Sequence, residues 1–224
     1  MLGNIRLPVL VLAASSPAAG AGANIGVSAL AALAAAITHV RAGRIDWRLV
    51  LWMAPPSIAG ALIGGLLSGA VPGDALLIAI GVTLILFGFD LLRPRHRSQP
   101  ALETEPNPAA AVVSGAAIGL LGGFVGLILG ALRIGALLRF VGGDAFRAVG
   151  TNALVGFFLG VAGVLGHLAN GVDWTLLGVG AGASIPGALL GARFTGRLDE
   201  RQLLRAVGGV LLVAGSAMIV QGAV

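Results

Sequence analysis

Apolar residues in this chain gather into runs instead of stripes. Leu49 to Ala70 carries no charge, and Ala75 to Leu92 carries only Asp90. A stretch of about 18 or more apolar residues is long enough to cross the hydrocarbon core of a bilayer. A soluble amphipathic helix would show an apolar stripe with a polar face opposite. The pattern predicts a first long helix ending near Arg41, a second from Trp47 to about Ala70 and a third ending at Leu92. Residues 109–141 read as two segments that enter and return. Further helices pass His167 and Arg193 to Arg205 and end at Val224.

The runs repeat. Gly22-Ala23-Asn24 is followed by His39 and then Ile45-Asp46-Trp47. Gly150-Thr151-Asn152 is followed at the same spacing by His167 and then Val172-Asp173-Trp174. Thirteen residues past each Trp stand Gly60-Ala61-Leu62-Ile63-Gly64 and Gly187-Ala188-Leu189-Leu190-Gly191. Gly81 and Gly88 match Gly208 and Gly215, and Gly3-Asn4-Ile5-Arg6 matches Gly130-Ala131-Leu132-Arg133. The offset is 127 or 128 throughout, which marks a duplicated unit. The predicted division is repeat 1 over 1–92, a linker over 93–108 and repeat 2 over 109–224. Arg93, Arg95, His96, Arg97, Glu103 and Glu105, set among prolines, make the linker a solvated connection.

Composition narrows the class. Mean hydropathy is +1.00 and 10% of residues are charged, against about 25% in soluble domains. The 37 glycines suit helices packed backbone to backbone in lipid. There is no Cys, hence no disulfide or thiol chemistry. The net charge of +5 does not point to nucleic acid, because the positive residues sit at the ends of apolar runs rather than on one face. No cofactor is expected. Isolated histidines make a weak metal site, and no P-loop Lys follows Gly122-Gly123. An intramembrane enzyme would need a nucleophile with its base, or metal ligands at depth, and the sequence offers neither.

Charge also predicts topology. The 14 Lys and Arg positions are all Arg, and cytoplasmic loops are enriched in such residues. The loop from Arg41 to Arg48 holds three Arg, while its match from Leu168 to Asp173 holds none. Conversely, Ser15 to Gly22 and Ala70 to Asp74 hold none, while their matches hold Arg139, Arg147, Arg193, Arg197 and Arg201. Matched loops with opposite bias are what inverted-topology repeats require. The expected fold is therefore an all-α polytopic membrane protein. It has two inverted repeats of about three to four helices each, with broken or re-entrant helices near the midplane. The linker at 93–108 is expected to be cytoplasmic and the C-terminus periplasmic. Trp47 and Trp174 stand at span starts, as interface anchors do.

Two arginines depart from this bias. Arg6 and Arg133 occupy matched positions in apolar segments interrupted by Gly3 and Pro8, and by Gly126, Gly130 and Gly135. Glycine and proline break helices. Irregular backbone at membrane depth is tolerated where protein buries it or where it lines a cavity. No acidic residue lies in the same runs. Two membrane cations without counter-charges suit an anionic ligand, and a guanidinium grips an oxyanion with two parallel N–H donors. Asn24 and Asn152, opening the next long helices, are candidate amide donors, and Asn4, Gly130 and Thr151 stand beside these positions. The bland alternatives are a cytoplasmic flank for Arg6 and snorkelling for Arg133. His39 and His167 fall at helix ends beside polar loops. This position reads as interfacial anchoring, with a proton relay as the functional alternative.

Taken together, these residues resemble the sulfite exporter TauE/SafE, or toluene sulfonate uptake permease, family over nearly the whole chain. The carriers are Gly3 to Leu10, Gly22-Ala23-Asn24 and Thr38-His39 through Arg48. In the second half they are Gly119 to Gly130, Gly150-Thr151-Asn152, His167, Gly171-Val172-Asp173-Trp174 and Gly187 to Gly191. The resemblance implies a multi-pass permease of the bacterial inner membrane. It implies seven or eight helices and transport of sulfite, sulfoacetate or another organosulfonate, with export the expected direction. Repeat 1 lacks the Gly-rich half-helix that precedes the Arg motif in the family and that Gly115 to Leu127 supplies in repeat 2. Expected partners are a small sulfur-containing anion and the lipid bilayer, with a homodimer left open. The rival readings are an anion channel, an uptake permease for another organic anion, and a non-transporting membrane scaffold subunit.

Overall fold

The long helices start where a short polar side chain can take up free N–H groups. In the computed structural model, Ser16 Oγ accepts from Ala19 N–H at 3.1 Å, with Pro17 at the first helical position. Asp46 Oδ1 accepts from the N–H groups of Arg48 and Leu49, and Asn107 Oδ1 accepts from that of Ala110. Each such cap satisfies a donor that the helix cannot, a stabilisation of about 1 kcal/mol.

The structure describes residues 2–92, 107–137, 145–195 and 200–224. Among them run α1 (Leu2–Ala13), α2 (Pro17–Arg41), α3 (Trp47–Ser68), α4 (Gly73–Leu92), α5 (Pro108–Val125), α6 (Gly130–Ala136), α7 (Ala145–Leu168), α8 (Trp174–Thr195) and α9 (Glu200–Ala223). Five are long and apolar enough to cross a membrane: α2, α3, α4, α5 and α7. Most of the linker, from 93 to 106, lies outside the described residues, as do Arg139 and Arg197 and the side chains of Gly187, Gly191, Arg193 and Arg201.

One sequence expectation needs correction. Pro8 does not interrupt the chain at Arg6; α1 runs through it to Ala13. Proline removes the donor to the carbonyl four residues earlier, but the helix continues past it. The break comes later, at residues 14–16, where Ser16 caps α2. Gly135 likewise lies inside α6, and the interruption falls before it, at 126–129. Asn24 and Asn152 do not open their helices; each is the eighth residue of its own.

Glycines make the helix contacts. α3 crosses α5, α4 crosses α9, and α2 and α3 both pack on α7. A Cβ at Gly60 would come within 2.5 Å of the Ala116 carbonyl, and one at Gly119 would strike the backbone of Ser57. In the α4–α9 crossing, a Cβ on Gly81 would meet the Gly215 carbonyl at 2.6 Å, and one on Gly215 would meet the Gly81 carbonyl at 2.7 Å. Gly88 and Gly208 approach each other in the same reciprocal way, at 3.0 and 3.1 Å. Helices in lipid gain no hydrophobic drive from association, so close backbone packing carries it. Many large apolar side chains also point outward: Val9, Leu51, Leu86, Val113 and Val213 are all more than half exposed. A surface of this kind needs an apolar solvent. Trp47 and Trp174 open α3 and α8 with exposed rings, as expected of interface anchors.

Candidate functional site

The break between α5 and α6 is built on one glycine. Gly126 closes α5 in the left-handed conformation, with φ of 76°, which glycine adopts without steric cost. The N–H of Leu127 reaches back to the Gly122 carbonyl at 2.8 Å, completing a helix-ending turn. A Cβ at Gly126 would also lie 2.5 Å from the Ala21 carbonyl, so this turn sits directly on α2. There Asn24 Nδ2 donates to the Gly126 carbonyl at 2.8 Å. The chain re-enters a helix at Gly130, and one turn later Arg133 points into the protein.

Arg133 is fully buried, so it does not snorkel. Its Nη1 donates to Asn152 Oδ1 at 3.2 Å. Its Nε and Nη2 are buried and have no hydrogen-bond partner among the described residues. These donors form one edge of the guanidinium, with parallel N–H bonds spaced for two oxygens on a single atom. Gly130 admits Asn152, because a Cβ there would press on Asn152 Nδ2 at 3.1 Å. Gly156 clears the other side, where a Cβ would lie 3.5 Å from Arg133 Nη1. Buried cations are ordinarily paired, since desolvation costs several kcal/mol. The described residues leave the Nε and Nη2 donors, three of the guanidinium's five N–H groups, open.

Arg6 has a different environment. Its Nε donates to Asn24 Oδ1 at 3.0 Å and its Nη1 to Ser184 Oγ at 3.0 Å. Its Nη2 donates to the Asn24 carbonyl at 3.1 Å and to Ser28 Oγ at 2.8 Å. Every nitrogen is engaged, and each of these acceptors is neutral. Ser28 and Ser184 were not picked out from the sequence. Two signals were available: Ser28 lies four residues after Asn24 on one helix face, and Ser184 matches Ser57 at the repeat offset.

The other expected site residues are dispersed. Asn4 is half buried on α1, two residues before Arg6. Thr151 is fully buried, but its hydroxyl accepts from Asp46 N–H at 3.0 Å, tying the α2–α3 loop to α7 rather than joining Arg133. His39 and His167 both fall in last turns. The interfacial reading fails for His167, which is fully buried. Its Nε2 is 2.8 Å from the Gly123 carbonyl and its Nδ1 is 3.1 Å from Ser68 Oγ. The reason is Gly22, which lacks a side chain and lets α2 close over the ring. His39 is half buried, and its Nδ1 has no partner. Among the described residues no cluster of three or more His, Cys, Asp or Glu is placed to hold a metal ion.

A bundle of apolar helices with glycine crossings and an exposed apolar surface defines a multi-pass membrane protein. The chain belongs to the sulfite exporter TauE/SafE family, whose sequence profile matches residues 2–218. It is similar to "Probable membrane transporter protein YjnA" of Bacillus subtilis (strain 168), at 25% identity over 95% of this chain and 89% of that protein. It is also similar to "Probable membrane transporter protein YdhB" of the same organism, at 27% identity over 88% of this chain and 83% of that protein. No solved structure matches the chain.

Proposed function

We propose that the protein is a permease of the bacterial inner membrane that exports a small sulfur-containing oxyanion, namely sulfite, sulfoacetate or a related organosulfonate. The observation that carries the reading is the unpaired Nε and Nη2 edge of a fully buried Arg133. Two oxygens of a sulfite or sulfonate group would take both donors at once and neutralise the cation. Asn152 holds the other side of the guanidinium, and Gly130 and Gly156 leave room around it. Arg6 and Asn24 stand at the matched positions in the first half.

The transport cycle in this reading is alternating access between two inverted repeats, with the linker cytoplasmic and the C-terminus periplasmic. Its support is the reciprocal packing of matched glycines. Gly81 and Gly208 are repeat mates, as are Gly88 and Gly215, and the contacts pair Gly81 with Gly215 and Gly88 with Gly208. A two-fold axis in the membrane plane would generate this pairing.

The test is transport of labelled sulfite and sulfoacetate in reconstituted vesicles, with taurine and chloride as comparison anions. Saturable flux of the sulfur oxyanions that Arg133→Ala removes is the expected result. An Arg133→Ala protein that still moves sulfite at the normal rate would refute the site. Flux that never saturates would favour a channel.

A further inference from the structure

Matched arginines in two repeats suggest matched roles, but the hydrogen bonds divide them. Arg6 is held by α2 through Asn24 and Ser28 and by α8 through Ser184. Arg133 is held by Asn152 alone, on one nitrogen. The asparagines are repeat mates, so that part of the arrangement is common to both halves.

The difference lies in the hydroxyls. The repeat mate of Ser28 is Gly156, which has none to offer. The repeat mate of Ser184 is Ser57, which sits in the α3–α5 contact, where its hydroxyl donates to the Gly115 carbonyl at 3.1 Å, and it is not among the hydrogen-bond partners of Arg133. Arg6 therefore meets two serine oxygens, where the matched positions offer Arg133 a glycine and a serine that it does not bond. The closeness of position 156 is a second observation, since its Cβ would stand 3.5 Å from Arg133 Nη1.

Resting on the permease reading, we propose that the two arginines have divided labour, set by Ser28 on one side and Gly156 on the other. Arg133 receives the oxyanion. Arg6 is a positioning residue, latched by serine hydroxyls that occupy the donors a ligand would need. It ties α1, α2 and α8 together and, through Asn24, steadies the Gly126 turn that carries α6. The unlatched arginine is the one whose Nε and Nη2 edge meets no oxygens of the described residues, because the substrate brings them.

The division can be read by grafting the latch. Gly156→Ser places a hydroxyl beside Arg133, with the Cγ2 methyl of Ile128, at 3.0 Å, having to give way by a few tenths of an ångström. In vesicle uptake of sulfite, Gly156→Ser is expected to raise the half-saturating concentration at least tenfold. The Ser28→Ala and Ser184→Ala proteins should keep the wild-type half-saturating concentration while losing maximal rate or thermal stability. In purified protein, Arg133→Gln should abolish the sulfite-dependent rise in Tm and Arg6→Gln should retain it. If Arg6→Gln fails to fold, the two serine variants still test the latch.

If the serine variants or Arg6→Gln weaken sulfite binding as much as Arg133→Gln does, both arginines hold the anion. The division then falls while the permease reading stands. If Arg133→Gln binds and transports sulfite normally, the site itself is wrong and both readings fall.

Discussion

Gly22 lies flat against His167: a Cβ on Gly22 would come within 2.9 Å of the His167 Cβ. Their repeat mates are packed the same way, with a Cβ on Gly150 reaching 3.0 Å from the His39 Cβ. Gly22→Ala should therefore push α2 off α7. Overpacking of this kind costs about 1–3 kcal/mol, and a drop of several degrees in Tm in detergent is expected. An unchanged melting curve would show that α2 does not close over the ring.

His167 itself is expected to be a stability residue. Its removal leaves the Gly123 carbonyl and Ser68 hydroxyl without this partner at the junction of α3, α5 and α7. An unsatisfied buried polar group costs about 1–3 kcal/mol. His167→Ala should melt well below wild type and His167→Gln, which keeps a donor, should recover part of the loss. Equal Tm values for all three proteins would sink the assignment.

The α4–α9 crossing has no slack at Gly81, whose Cβ would meet backbone rather than a movable side-chain tip. Gly81→Leu should separate the helices and abolish stable, monodisperse protein. Gly178→Ala and Gly182→Ala are the controls, since a Cβ at either position meets nothing within 4 Å. Changes there should stay within about 0.5 kcal/mol. The readout is size-exclusion behaviour together with thermal unfolding.

Asn24 both accepts from Arg6 and donates to the Gly126 carbonyl. Asn24→Leu removes both bonds inside the protein and should destabilise it by about 1–3 kcal/mol, as leaving a buried polar group unsatisfied does. Asn24→Asp restores an acceptor for Arg6 but cannot donate to Gly126. Its Tm should fall between those of wild type and Asn24→Leu. An Asn24→Asp protein less stable than Asn24→Leu would contradict the bonding described.

Substantial parts of the architecture were legible along the chain. Apolar run length sets the spans, because a buried backbone in lipid must satisfy its own hydrogen bonds as helix. Trp47 and Trp174 mark helix starts, because amphipathic rings settle at the interface where spans begin. The matched positions of Arg6 and Arg133 were also visible. Pro8 misled, because proline weakens a helix locally while neighbours decide whether it ends there.

Which arginine is free, and which histidine is buried, was settled only in three dimensions. A helix that is apolar all round has no polar face, so its periodicity cannot separate lipid-facing from protein-facing sides. Ser184 reaches Arg6 from 178 positions away, and Ser68 reaches His167 from 99. Hydrogen-bond satisfaction is a property of through-space neighbours at about 3 Å. The sequence by itself determined that two guanidinium groups stand at matched positions in apolar segments; the tertiary contacts decided that one of them is already answered by the protein.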